Sequence, residues 1–260
     1  MTNSWVEPPS RAALDTALPS LLKQLKLAQF RNQWQAAEQQ AQADGWSPAS
    51  YLYVLAEQEH QQRHQARLRR LLHEAQLPWP KTLADYDWEA IPDLNRSQIE
   101  QLAHDTGWLD RAENLLLFGP SGVGKTHLAS GICRSLIALD RSARFFTGTA
   151  LVQHLQQAQA DYALAPALNK LDRSALLVID DIGYVRKDEA ETSVLFELVM
   201  HRYERRSLLV TSNQPFSEWE NVFSTSAMTV AAVDRLVDHS TIVQISGESY
   251  RRKRARRLAS

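Results

Sequence analysis

The run of residues from 119 to 126 has the residue types and the spacing of a phosphate-binding loop. Its glycines let backbone N–H groups converge on phosphate oxygens, where a larger side chain would intrude. Lys125 can reach the β- and γ-phosphates of a nucleotide, and the Thr126 hydroxyl can ligate Mg²⁺. The run therefore predicts a site for ATP and Mg²⁺. We expect the nucleotide to contact Gly119, Pro120, Ser121, Gly122, Val123, Gly124, Lys125, Thr126 and His127.

Two carboxylates end an apolar run further along the chain. Leu176–Ile179 has the length of a buried strand and is followed by Asp180 and Asp181. If this strand lies next to the strand of the phosphate loop, Asp180 can hold Mg²⁺, and Asp181 can orient or deprotonate the attacking water. The alternative is an ordinary aspartate-rich turn after a strand.

A polar amide follows a third apolar run, Leu208–Val210. Asn213 at the tip of a neighbouring strand could hydrogen-bond the γ-phosphate or the attacking water. An Asx turn before Pro215 is the alternative interpretation of the same residue.

The elements that must position these residues are short strands separated by helices. This alternation predicts crossover units and a parallel sheet, and hence an α/β fold with helices flanking the sheet. Leucine and isoleucine spacing after the loop predicts a helix. His127 would pack from this helix onto the sheet in the simplest reading, and Cys133 would be a core residue. The predicted strands cover 115–118, 143–146, 176–179, 208–210 and 241–245.

A helical segment precedes this α/β part. Apolar residues from Leu18 to Ala41 recur at spacings of three to five and predict one helix face. Ser47-Pro48 begins a second helix, and Pro78-Trp79-Pro80 stops it. We therefore expect three parts: a helical N-terminal domain that binds DNA or a partner (1–78), an ATPase domain (79–250) and a basic tail (251–260).

Composition excludes several classes of protein. The chain has 260 residues, of which 44% are hydrophobic and 23% charged, as in folded globular proteins. Its single cysteine excludes a disulfide framework and a cysteine-only zinc site. No apolar run approaches the 18 or so residues of a membrane span, and the N-terminus lacks a signal-peptide pattern. We expect a cytoplasmic protein with no membrane partner.

The charge is unevenly distributed and points to a polyanionic partner. Residues 81–250 carry a net charge of -8, whereas residues 251–260 carry +6. Basic residues can neutralise DNA phosphates without reading sequence, although many basic stretches are simply solvated. No zinc-finger or RNA-binding aromatic pattern is present, so duplex binding without sequence preference fits best. The candidate DNA contacts are Arg63, Arg67, Arg70, Arg186, Lys187, Arg252 and Arg254.

The order of these motifs resembles the IstB-type ATPases, the transposition helpers of bacterial insertion sequences. It is also similar to the DnaC/DnaI helicase loaders, which share the initiator clade of AAA+ ATPases. The most specific segments are 212–219, which reads SNQPFSEW, and 247–251, which reads GESYR. The resemblance implies an AAA+ fold, self-association into an ATP-dependent oligomer, and two partners, DNA and a cognate transposase.

The resemblance also implies two residue roles. Asn213 matches the sensor-1 residue of the family, and Arg235 matches the arginine finger that enters the ATP site of the next subunit. An ion pair with Asp234 or Asp238 is the alternative for Arg235. Many AAA+ enzymes have Glu where this chain has Asp181, and the shorter side chain predicts slow hydrolysis.

The sequence thus favours an ATPase that multimerises on DNA and assists an insertion-sequence transposase in target DNA selection and transposition. A replicative helicase loader shares the same ATPase core. A small-molecule kinase could use the same phosphate loop, and a non-hydrolysing ATP switch would need only nucleotide binding.

Overall fold

The computed structural model describes residues 6–184, 189–214, 218 and 226–250. The chain divides into two compact units, one ending at Arg69 and the other beginning at Arg70. This division lies inside a long helix, ahead of the boundary expected at residue 78. Among the described residues, no helix has the length and apolar character needed to cross a membrane.

The N-terminal unit is built from helices. These are α1 (Arg11–Gln24), α2 (Ala28–Asp44) and the first part of α3 (Pro48–Ala75). Their buried core consists of Leu22, Trp34, Ala37 and Leu55.

The prediction of one continuous helix before residue 44 is wrong, because the chain breaks between α1 and α2. Lys26 has φ +57°, a left-handed conformation that stops an α-helix. The N–H of Leu27 then donates to the carbonyl of Leu22 and closes the turn. The apolar spacing continued across the break because both helices pack on the same small core. The predicted start of α3 at Pro48 is confirmed, and the Oγ of Ser47 accepts from the N–H of Ser50.

The second unit contains a parallel sheet, as the sequence predicted. The strand order is β2-β3-β4-β1-β5, with every pair parallel. The strands are β1 (Asn114–Phe118), β2 (Ala143–Thr147), β3 (Leu176–Asp180), β4 (Ser207–Ser212) and β5 (Ser240–Gln244). The helices of this unit are the end of α3, α4 (Arg96–His104), α5 (Gly107–Asp110), α6 (Lys125–Ala138), α7 (Gly148–Ala160), α8 (Leu164–Leu171), α9 (Glu189–Arg202) and α10 (Ser226–Asp238).

The sheet is covered on both faces, which explains its continuous apolar strands. Alternate residues of β1 belong to different cores: Leu115 and Leu117 pack with α4 and α6, whereas Leu116 and Phe118 pack with α7 and α9. Parallel strands sandwiched in this way place all their carboxyl ends at one edge. That edge carries the predicted phosphate loop and both aspartates.

Candidate functional site

The loop between β1 and α6 depends on glycines at two positions. Gly122 has φ +89° and Gly124 has φ +97°, which L side chains rarely adopt. A Cβ on Gly122 would collide with the Oγ of Ser249, and one on Gly124 would lie 2.8 Å from the ring of Tyr86. The loop backbone can therefore take this path only with glycine, and it leads into the N-terminus of α6, where anions are favoured.

Lys125 begins α6 and is folded back over the loop. Its Nζ donates to the carbonyl oxygens of Gly119 at 2.7 Å and Pro120 at 2.9 Å. Burial lowers the pKa of Lys125, while the charges of Asp181 and Asp180 act in the opposite direction. The ammonium group therefore lies over the phosphate loop, among its carbonyls and close to two acidic groups.

Thr126 and Asp180 meet at the carboxyl edge of the sheet. The Thr126 Oγ1 donates to both carboxylate oxygens of Asp180, at 3.1 and 2.9 Å. Asp180 is buried, and this burial raises its pKa, although its two hydroxyl donors oppose the shift. One hydroxyl and one carboxylate are oxygen ligands of the kind that Mg²⁺ prefers, so these two residues fit the metal expected from the sequence.

The route by which Asp180 reaches the loop differs from the prediction. The strand before Asp180 does not lie next to β1, because β4 lies between them. Thr211 on β4 bridges this gap: its Oγ1 donates to Asp180 at 2.7 Å and accepts from the N–H of Asp181 at 2.8 Å. The sequence assigns no role to Thr211, whose only signal is a hydroxyl at the end of an apolar strand.

Asp181 has an uncommon backbone. Its φ of +56° lies in the left-handed region, which few residues other than glycine adopt outside turns. The hydrogen bond from its N–H to Thr211 holds this conformation. Strain of this kind is often concentrated at functional sites.

Asn213 follows β4 and has a buried amide oxygen. Among the described residues, no donor bonds to its Oδ1. A Cβ on Gly183 would lie 2.6 Å from this oxygen, so Gly183 leaves room beside it. Since buried polar atoms are rarely left without a partner, this acceptor suits a donor supplied by a ligand or a water molecule.

A cavity of about 480 Å³ opens beside the loop, within the size range of ligand pockets. One wall is the loop and the start of α6, and the other is the segment between α3 and α4. Tyr86 joins the two, since its Oη donates to the carbonyl of Val123 at 3.1 Å. The residues that line the cavity are Trp79, Lys81, Asp85, Tyr86, Asp87, Ala90, Ile91, 122–127, Glu248 and Tyr250.

The residues of the second wall were missed, because the proline-flanked Trp79 indicated only a linker. The packing of His127 onto the sheet is also wrong: its Nε2 lies 2.7 Å from the carbonyl oxygen of Thr82, and it lines the cavity. Burial lowers the pKa of His127. Cys133 is buried in the core, as expected.

Arg235 is not among the described residues that line this cavity. Its Nη1 donates to the carbonyl of Ala231 at 3.0 Å, and its guanidinium carbon lies 5.7 Å from the ring centre of Tyr203. Within the described residues, no ion pair joins Arg235 to Asp234 or Asp238. Among the described residues, the alternative reading of Arg235 as an ion-pair partner of Asp234 or Asp238 is not observed.

The candidate DNA contacts differ in how far other groups engage them. Arg63 pairs with Glu59 at 2.7 Å and donates to the carbonyl of Lys26, so it stabilises the helical unit. Arg67 is exposed, and Arg70 lies 3.8 Å from Glu74 on the surface. The remaining candidates, Arg186, Lys187, Arg252 and Arg254, lie outside the described residues.

The loop, the metal-ligand pair and the parallel sheet agree with one known family. A sequence model of the family described as IstB-like ATP binding protein matches residues 20–259. The chain belongs to this family. It is 46% identical over 241 residues to an insertion sequence ATP-binding protein of Sinorhizobium fredii, covering 93% of this chain and 81% of that protein. It is 34% identical over 240 residues to the IS21 ATP-binding protein of Pseudomonas aeruginosa, covering 92% and 90%.

Solved structures support the fold. The DnaC helicase loader matches with a TM-score of 0.51 and 21% identity over 61% of this chain and 97% of that one. AMPPCP-bound DnaA from Aquifex aeolicus matches with a TM-score of 0.53 and 16% identity over 65% and 51%. The predicted resemblance and the AAA+ fold are thereby confirmed. The chain is thus a member of the IstB-like ATP binding proteins with an AAA+ fold.

Proposed function

We propose that this protein hydrolyses ATP in an oligomer assembled on duplex DNA and assists the transposase of its insertion sequence in selecting target DNA and in transposition. The observation that carries the hydrolytic part is the hydrogen-bonded set of Thr126, Asp180 and Thr211 beside the phosphate loop. The sequence carries the DNA part, through the six basic residues between 251 and 260. The transposase follows from family membership.

Each residue of the site has a part in this proposal. Lys125 and the loop N–H groups bind the phosphates, and Thr126 with Asp180 would hold Mg²⁺. The ion, when bound, neutralises charge on the β- and γ-phosphates. Asp181 accepts a proton from the attacking water, and Asn213 orients that water through its amide oxygen.

Arg235 of a neighbouring subunit completes the site. In phosphoryl transfer, an arginine supplied in trans stabilises the charge that develops on the transferring group. This role explains why Arg235 lies away from the cavity of its own chain. It also makes ATP binding and assembly depend on each other, since each interface needs both a nucleotide and an arginine.

Slow turnover is part of the proposal. The carboxylate of Asp181 is one methylene shorter than the Glu of many AAA+ enzymes, so the attacking water is held less well. A slow ATPase keeps the oligomer on DNA long enough for a transposase to find it. DNA or the transposase would then accelerate hydrolysis and release the complex.

Fluorescence anisotropy with labelled duplex and single-stranded DNA tests this function, in ATP, ADP and no nucleotide, with mass photometry on the same samples. We expect ATP-dependent oligomers that prefer duplex, with affinity falling steeply as salt increases. The Lys125→Ala variant should lose the nucleotide dependence. A preference for single strands would indicate a helicase loader instead, and a monomer that ignores DNA would contradict the proposal.

A further inference from the structure

Arg235 is held by one aromatic side chain of its own subunit. Tyr203 directly follows the last residue of α9, and Arg235 lies in the last turn of α10. The guanidinium carbon lies 5.7 Å from the centre of the Tyr203 ring, within the range of a cation–π interaction. The ring face attracts the positive charge, and Nη1 donates to the carbonyl of Ala231, so neither contact pairs the guanidinium with a carboxylate.

Asp238 can compete for that charge. It lies three residues after Arg235 on the same helix, a spacing at which opposite charges pair. Its Oδ2 instead accepts a hydrogen bond from the Oη of Tyr203 at 2.6 Å, with His239 at 3.5 Å as a further neighbour. No carboxylate of the described residues forms an ion pair with Arg235.

An arginine that acts in trans needs this arrangement. If Asp238 paired with Arg235, the guanidinium would arrive at the neighbouring nucleotide partly neutralised, with some of its donors already used. The phenol of Tyr203 therefore does two things at once: its hydroxyl engages Asp238, and its ring holds Arg235.

We propose that Tyr203 is a positioning residue for Arg235, keeping its guanidinium away from Asp238 and available to the nucleotide of a neighbouring subunit. This inference rests on the proposed function, in which Arg235 acts in trans. It adds a residue that touches neither ATP nor metal. Tyr203 stays a donor at any working pH, because the hydrogen bond to Asp238 raises its pKa to about 12.

The test is a mixing experiment with two full-length variants on DNA, in which one variant supplies Arg235 and the other supplies the ATP site. The acceptor, Arg235→Ala, keeps an intact phosphate loop, and the donor, Lys125→Ala, keeps an intact Arg235. Neither alone should hydrolyse ATP at more than about a hundredth of the wild-type rate, and the mixture should recover turnover. Tyr203→Phe, Tyr203→Ala and Tyr203→Phe/Asp238→Asn are then introduced into the donor.

We expect a different recovered rate for each of the three Tyr203 variants of the Arg235-supplying subunit. Tyr203→Phe frees Asp238 and should lower the recovered rate about twofold to threefold, the size of a helix ion pair. Tyr203→Ala also removes the ring and should lower it about tenfold. Replacing Asp238 by Asn in the Phe donor should restore the rate, because no carboxylate is left to compete. Tyr162→Phe, on a fully exposed tyrosine, is the matched control and should change nothing.

The outcomes distinguish this inference from the proposed function. If Arg235→Ala alone keeps wild-type turnover, the trans role of Arg235 is wrong. If mixing works and the Tyr203→Phe donor performs as well as its parent, only the role of Tyr203 is wrong. If the Phe donor is impaired and the added Asp238→Asn fails to restore it, while thermal melting is unchanged, competition by Asp238 is overturned.

Discussion

The two ends of the parallel sheet both bury charge, but they do so in opposite ways. At the amino ends of β3 and β4, the fully buried guanidinium of Arg202 donates to the carbonyls of Leu171, Ser174 and Ser207 and pairs with Asp172. At the carboxyl ends, Asp180 accepts hydrogen bonds from the hydroxyls of Thr126 and Thr211, beside the phosphate loop.

The buried charge at the amino end stabilises the fold, whereas the buried charge at the carboxyl end belongs to the candidate site. Burial lowers the pKa of Arg202 to about 10, yet its carbonyl partners join three segments: the end of α8, the turn before β3 and the start of β4. The carboxyl end holds its charges beside the phosphate loop and its cavity, where a phosphate, a metal ion or a water molecule can be added. Stability should therefore depend on the amino end and turnover on the carboxyl end.

Arg202→Leu should have the largest effect. It leaves Asp172 without its buried partner and removes the guanidinium donor from three carbonyls, so we expect the free energy of unfolding to fall by about 3–5 kcal/mol. Chemical denaturation followed by circular dichroism measures this loss. Below the new melting temperature, nucleotide affinity should stay within about twofold of wild type, since the phosphate loop is untouched.

Arg205→Leu is the matched control, because Arg205 pairs with the same Asp172 from an exposed position. A surface pair contributes little, and we expect a loss of less than about 1 kcal/mol. If both variants lost the same stability, burial at the amino end would not be what distinguishes Arg202.

Lys125→Ala should do the opposite of Arg202→Leu: it should weaken ATP binding and leave stability nearly unchanged. The buried ammonium donates to two loop carbonyls and faces the phosphate site, so its removal should weaken ATP binding about a hundredfold. Burial already opposes its charge, and we expect thermal stability in the absence of nucleotide to change by less than about 1 kcal/mol. Titration of a fluorescent ATP analogue, together with melting curves, measures both. A large loss of stability with unchanged affinity would reverse the assignment of the two ends.

The sequence predicted the carboxyl end far better than the amino end. The phosphate loop and Asp180 could be found because their chemistry is written in consecutive residues at fixed spacing. Arg202 carried no such signal: a basic residue in the last turn of a helix is usually a solvated one. Only the strand order, which brings Leu171, Ser174 and Ser207 together, makes it a core residue.

The order of the strands in the sheet could not be predicted from local sequence patterns. Each strand was recognised from its apolar run, but the neighbours of β3 depend on pairing between distant segments. For the same reason, the wall formed by Tyr86 and Trp79 was missed, since an aromatic residue in a proline-flanked linker does not show what it will face. The break at Lys26 was hidden because two short helices can share one apolar face.

Thr211→Val should have a smaller effect on stability than Arg202→Leu and a smaller effect on ATP binding than Lys125→Ala. The exchange keeps the shape of the side chain but removes the donor to Asp180 and the acceptor for the N–H of Asp181. One buried N–H then loses its partner, so we expect about 1–3 kcal/mol of lost stability and a reduced maximal hydrolysis rate at nearly unchanged ATP affinity. Thr211→Ser keeps the hydroxyl and should retain most of the rate. Steady-state ATPase assays of both variants test this prediction. If the Ser and Val variants were equally impaired, Thr211 would contribute through packing and not through hydrogen bonding. The carboxyl end would then have a structural role like that of the amino end.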